Sequence, residues 1–220
     1  MVRIISASKS KNHPCHFCHC STSRAIDAIG GSVEVTPHHL LLSIEHFNVN
    51  DGRGKVNPPL RHEEVRKNLW SRWERIDVIA SDHAPHTLSE KSQIFSKSPA
   101  GIPGVETMVP LCMAMVLNGK VSLESLIQKI SSNPSAILGI PRAGFIKGNR
   151  ADFALFPRQK QKIRTENLHS KCGWTPYEGF EGVFPEIVVM NGSCVFKRGE
   201  YFQRNGRWFP GRGYIHQDAT

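Results

Sequence analysis

The sequence predicts an α/β protein in which a parallel sheet, built up to about Pro141, is followed by a small separate β element. Three observations predict it. Short apolar runs alternate with helical stretches in the first part of the chain, the rhythm of a parallel sheet with its crossover helices. The run from Ile76 to Ile79 is rich in β-branched residues and bounded by polar ones, which reads as a strand covered on both faces. From Gly144 the texture changes to "ADFALF" and "EIVVMNGSCVFKRGEYF", short strands and hairpins turned at Asn191-Gly192 and Arg198-Gly199. The expected division is residues 1–143 for the sheet and its helices, and residues 144–220 for the β element and tail.

Taken in order, "HPCHFCHC" (13–20) reads as a first strand, with Ser21-Thr22 capping the short helix "SRAIDAIG". "SVEVTPHHLLL" opens as a second strand, Ser32 to Thr36, and stops at Pro37. "KVNPPL" is expected to be a third, brief strand that carries Asn57. In "RHEEVRKNLWSRW", Val65, Leu69 and Trp73 fall at i, i+4, i+8 and Glu63 pairs with Lys67, so an amphipathic helix follows. A fourth strand spans 76–82. A long loop through "SPAGIPG" leads to two helices, "VETMVPLCMAMVLNG" and "SLESLIQKISSNP". In the second, Leu123, Leu126, Ile127 and Ile130 make one apolar stripe and Asn133-Pro134 closes the helix.

At 220 residues and 39% hydrophobic the chain can bury one sizeable core, or a core with a small appendage. No stretch approaches the roughly 18 apolar residues of a membrane span, and "MVRIISASKSK" lacks the apolar core of a signal peptide. Cytoplasm is the expected compartment, and six unevenly placed cysteines agree with a reducing one. The net charge of +9 raises a nucleic-acid reading, but it is spread along the chain. The densest basic stretch, "RQKQKIR" (158–164), has no interleaved aromatics to stack on bases. Neither nucleic acid nor membrane is an expected partner. Attraction of a small anionic substrate suits the charge better.

Polar clusters follow the strands: His16 and His19 the first, His38 and His39 the second, Asn57 the third, Asp82 to His86 the fourth. Strand ends that converge on one mouth are how a barrel builds a metal site, and imidazole with carboxylate suits zinc. "CHFCHC" is also readable as a zinc knuckle. A knuckle needs four well-spaced ligands, whereas these lie within six residues and no second CxxC follows.

"HFCHCST", "VEVTPHHLLLS", "GKVNPPLR", "DVIASDHAPHTLSEK", "GIPGVETMVPL" and "HSKCGWTPYEGF" resemble, in this order, the second half of dihydroorotase, a cyclic amidohydrolase. The resemblance implies the last four or so βα units of a metal-dependent-hydrolase TIM barrel. It also implies the interconversion of N-carbamoyl-L-aspartate and L-dihydroorotate in pyrimidine synthesis, with zinc as cofactor. By that resemblance His19 and His38 match the single-histidine metal ligands of the family's strands five and six. Asp82 matches the strand-eight aspartate that binds metal and moves the proton. Asn57 and His86 match groups that hold the substrate, and Ala100 and Gly101 the loop backbone against its ring. For His16, His39 and His83 the structural reading is the better one.

The family's HxH pair and its carboxylated lysine lie upstream of the matching region, so the ligand set expected here is incomplete. The implied partners are a matching N-terminal half, a second copy of the chain, or aspartate carbamoyltransferase. The alternative to an enzyme is a non-catalytic dihydroorotase-like subunit or scaffold.

Overall fold

Three short strands run parallel in the order in which the chain makes them. β1 (His16–Phe17), β2 (Ser32–Val35) and β3 (Val78–Ile79) form one sheet in the order β1-β2-β3. His16 faces Ser32 across the first pair, and Val35 faces Ile79 across the second. Val33, Val35 and Ile79 are buried on one face and Val78 on the other, so β3 is covered on both faces. The computed structural model describes residues 15–202, 206 and 208–211. His13 and Pro14 of the expected first strand, and most of the aromatic tail, lie outside the described residues.

The helices begin where their caps predict. Thr22 accepts from the Ala25 amide at the start of α1 (Ser23–Ala28). Thr36 caps α2 (Pro37–Leu41), where Pro37 at the first turn turns the expected strand stop into a helix start. α3 (Glu63–Trp70) buries Leu69, and Trp73 lies beyond it, stacked on Trp70 at 5.4 Å between centroids.

"KVNPPL" forms no strand. Pro58 and Pro59 have no amide hydrogen to give to a ladder, and the segment runs as a connection with Asn57 exposed. The consequence is topological: β2 pairs directly with β3, so among the described residues there are three parallel strands and not four. If β3 is the eighth strand, β2 and β1 count back as the seventh and sixth, so His19 falls on the strand-six position of the resemblance and the case for His38 rests on its own unpartnered nitrogens, not on that match.

Beyond β3, the expected loop contains α4 (Leu88–Lys91), opened by a reciprocal Thr87/Glu90 capping box. α5 (Met108–Leu117) follows, then α6 (Leu123–Ile127), which does not end at Asn133-Pro134. It passes through a π turn (Gln128–Ser132) into α7 (Asn133–Leu138), whose first turn accommodates Pro134. The expected stripe on α6 also divides: Leu126 is buried while Leu123 and Ile127 are exposed. Lys129 takes a buried position instead and donates to the Ile76 carbonyl at 2.6 Å.

The later part is antiparallel. β4 (Phe153–Leu155), β7 (Ile187–Met190), β8 (Ser193–Lys197) and β9 (Glu200–Tyr201) form a sheet of order β4-β7-β8-β9, and β5 (Gln161–Lys162) pairs with β6 (Glu181–Gly182). The predicted turns have positive φ at both central residues, 51° and 78° at Asn191-Gly192 and 47° and 91° at Arg198-Gly199. One core lies around Val33, Leu69 and Leu126. A second joins Leu42, Ile102 and Leu111 to Ile163, Trp174 and Tyr177, so residues from both sides of the 143/144 division share it.

Candidate metal and substrate site

Two residues just past the parallel strands adopt a backbone that side chains disfavour. His19, after β1, has φ 41°, and Asp82, after β3, has φ 46°. Left-handed φ at a non-glycine residue costs roughly 1–2 kcal/mol and concentrates at functional sites. At His19 the bend is held by Glu34 on β2: its carboxylate accepts the His19 amide at 3.2 Å, and its backbone carbonyl accepts the Cys20 amide at 2.8 Å. Asp82 is half-buried. Burial, then the charges of Glu34 and Asp82, raise the Cys18 thiol above its ordinary value, so the Asp82 carboxylate lies within electrostatic reach of the end of β1.

His38 and His39 share a helix turn and differ completely. His39 is satisfied at both nitrogens: Nδ1 pairs with Thr36 Oγ1 at 2.8 Å, and Nε2 donates to the Pro58 carbonyl at 3.0 Å. His38 is 0% exposed and neither ring nitrogen has a hydrogen-bond partner. Burial, with the neighbouring His39 and His19, pushes the His38 imidazole down to about 2, so it is neutral at any ordinary pH. Nδ1 of His19 is likewise buried and unpartnered. Buried polar atoms are paired in most proteins, and the exceptions need a reason. Neutral imidazole nitrogens without partners are donors that zinc takes, and with a carboxylate they suit such an ion in kind. Among the described residues, however, the donor atoms of His19, His38 and Asp82 do not all lie within 4.8 Å of one another, so the three are not closed around one point.

The four expected substrate groups come from three segments that are tied together. Gly101 has φ 154°, and a side chain there would meet the Ala84 carbonyl at 2.5 Å and the His86 ring at 3.0 Å, so glycine lets the loop lie against His86. The Gly101 amide donates to the Lys55 carbonyl at 3.0 Å, which brings the loop to the connection bearing Asn57. Lys91, fully buried, donates from Nζ to the Lys55 and Pro99 carbonyls, both at 2.9 Å, and fixes the same junction. Burial lowers its ammonium to about 8. His86 is half-buried, and its carbonyl accepts from Trp174 Nε1 at 2.8 Å.

His39 and His83 serve the framework, as expected; His83 Nδ1 accepts the Gly104 and Val105 amides at 3.0 and 3.3 Å. Sequence reasoning missed Glu34 and Lys91. An acid between two valines of a strand covered on both faces was the available signal for Glu34, whereas nothing local marks Lys91. A cavity of about 930 Å³ lies away from this site and is lined by residues such as Val109, Phe156, Val188 and Tyr201.

No protein-family model matches the chain. It is 48% identical over 182 residues to the dihydroorotase of Archaeoglobus fulgidus, covering 80% of this chain and 44% of that protein. To the dihydroorotase of Pyrococcus furiosus it is 43% identical over 206 residues, covering 90% and 49%. Among solved structures, the D-hydantoinase (dihydropyrimidinase) of Thermus sp. matches with a TM-score of 0.84 at 22% identity, over 92% of this chain and 49% of that one. The inactive dihydroorotase-like domain of a CAD-like multifunctional protein from Chaetomium thermophilum matches with a TM-score of 0.67 at 17% identity, over 90% of this chain and 56% of that one. The fold is thus that of the cyclic amidohydrolases. In sequence the chain is similar to the C-terminal half of the dihydroorotases, and it spans about half the length of the curated relatives it matches. No described helix is long and apolar enough to cross a membrane.

Proposed function

We propose that the chain supplies the C-terminal part of a dihydroorotase active site, which interconverts N-carbamoyl-L-aspartate and L-dihydroorotate. The observation that carries this is the set of unpartnered nitrogens on His19 and His38 together with a strand-end aspartate. In this reading His19, His38 and Asp82 hold zinc, which when bound lowers the pKa of water toward about 7. The Asp82 carboxylate accepts the proton as the water oxygen adds to the ring amide carbon. It returns that proton to the ring nitrogen as the carbon–nitrogen bond breaks. His86 faces the substrate carboxylate, Asn57 holds the substrate, and the Ala100-Gly101 backbone lies against its ring. Glu34 and Lys91 hold the loops that carry these groups.

Two imidazoles and one carboxylate are fewer ligands than the family's dinuclear centre uses, so the 220-residue chain taken alone is expected to turn over little or no dihydroorotate. Among the described residues β1 and β3 are the edges of the parallel sheet, and open edges favour pairing with another chain. A matching N-terminal half is the proposed partner, ahead of a second copy. The second reading is a non-catalytic subunit or scaffold that binds another pyrimidine-pathway enzyme such as aspartate carbamoyltransferase. The short ligand set favours it.

The test is dihydroorotate hydrolysis with added zinc, by the chain alone and mixed with the N-terminal half of a relative such as the Pyrococcus furiosus dihydroorotase. Activity is expected only in the mixture, and Asp82→Asn should lower it roughly 10²–10⁴-fold. Family-like turnover by the chain alone would show that a reduced site suffices. No turnover in either case would favour the scaffold.

A further inference from the structure

A second group of metal-ligating side chains stands on β1 and β2. The donor atoms of His16, Cys18 and Glu34 lie within 4.8 Å of one another. They share no side chain with the set His19, His38 and Asp82. Phe17 separates His16 from Cys18, so both project from one face of the β1 segment, toward Glu34 on the neighbouring strand.

Both ring nitrogens of His16 face partners: Nδ1 lies 2.9 Å from the Ser32 hydroxyl and Nε2 lies 3.2 Å from Glu34 Oε2. A hydrogen on Nε2 satisfies the Glu34 contact but gives the Cys18 sulfur no role. With the hydrogen on Nδ1, donated to Ser32, the Nε2 lone pair is free, and a thiophilic divalent ion would use all three donors. The remaining atoms of each ligand are already held, as in a built site: His16 Nδ1 by Ser32, and Glu34 Oε1 by the His19 amide at 3.2 Å. Tetrahedral zinc places its ligands roughly 3.5 Å apart and in open sites keeps a water as the fourth. His16 and Cys18 are exposed, so modest rotations close the cluster around an ion and leave the water side open.

We propose that His16, Cys18 and Glu34 form a binding site for a zinc-class divalent cation on the exposed face of β1 and β2. It stands independently of the dihydroorotase reading.

Cobalt(II) titrated into the reduced chain should produce a near-ultraviolet thiolate-to-cobalt band, which zinc then displaces. Cys18→Ser should abolish the band; Cys18 is exposed, so the change leaves the packing intact. His16→Ala and Glu34→Gln should weaken cobalt binding at least about tenfold; the glutamine can still accept the His19 amide. Cys15→Ser, Cys194→Ser and His19→Ala should keep the band, the last because ions held by His19, His38 and Asp82 have no sulfur ligand. A chain that develops no such band holds only a proton between His16 and Glu34, which overturns the proposal. A band that survives Cys18→Ser overturns it too.

Discussion

The parallel and antiparallel regions both pair charged side chains at the surface, as Arg72 with Asp27 does at 2.6 Å in the parallel one, and differ in the polar groups they bury. In the antiparallel region the charged side chains pair at the surface, Lys160 with Glu181 at 2.7 Å and Arg164 with Glu178 at 3.2 Å, and His169 pairs with Glu106 of the parallel region at 2.6 Å. In the parallel region, three of the four unpartnered buried side-chain atoms among the described residues belong to two histidines near strand ends. The fourth is on Arg150, at the border of the β element. Pairs of the first kind are exposed and add little to stability. Unpaired buried nitrogens cost the fold something, and in the proposed reading a bound ion removes that cost, so the difference marks where stability is given up for a site.

The comparison would break first if the two regions were independent units. Tyr177, 1% exposed, belongs to the core that joins them. Tyr177→Ala should cost about 3–5 kcal/mol, lowering the urea midpoint of the whole chain, including the circular-dichroism signal of the stacked Trp70 and Trp73. A mutant in which that signal keeps its midpoint would mean that the regions fold separately.

His38 and His39 sharpen it. Without metal, His38→Leu should stabilise the chain by about 1–3 kcal/mol, because two unsatisfied nitrogens leave the interior. His39→Leu should destabilise it by a similar amount, because the Thr36 hydroxyl and Pro58 carbonyl lose their partner. Calorimetric zinc titration adds the functional half: binding should weaken in His38→Leu. Undiminished affinity there would remove His38 from the ligand set.

Lys91 gives a smaller, pH-dependent effect. Its folded pKa, about 8, lies below the ordinary 10.5, so between those values the unfolded chain binds more protons than the folded one. Its contribution to stability therefore rises with pH through that window and is lost as pH falls through about 8. Cys20 and Cys112, raised from 9.0 to about 11 and about 12, act in the opposite sense above pH 9. The lysine's part is read as the difference in urea midpoint between the native chain and Lys91→Met from pH 7 to 10. A pH-independent difference would contradict it.

The smallest effect lies in the antiparallel hairpin. Gly192 has φ 78° and no atom within 4 Å of where a side chain would sit. Gly192→Ala should cost about 1 kcal/mol from the backbone alone and leave zinc binding unchanged.

Much of this was legible in the sequence because its cause is local. Thr22 caps a helix three residues ahead of it, Asn191-Gly192 turns a hairpin by its own φ preference, and the β-branched run before Asp82 marks a buried strand. The polar groups after each strand were legible for the same reason. The missing third strand was also written locally, in two prolines without amide hydrogens, but the apolar flanks of "KVNPPL" outweighed them in the reading.

Tertiary structure alone decided the rest. That Glu34 reaches His16 and His19 depends on the register of β1 against β2. That Lys91 is buried between two carbonyls depends on where the Pro99 loop crosses the Lys55 connection. That His38 is bare while His39 is satisfied depends on Pro58, nineteen residues away in sequence, meeting one ring and not the other. That Leu123 and Ile127 are exposed depends on what lies opposite α6, which periodicity cannot supply. A sequence fixes what a residue offers to its neighbours within a turn or two. Which distant groups arrive to accept the offer is settled by packing, and at this site packing left three imidazole nitrogens without an answer.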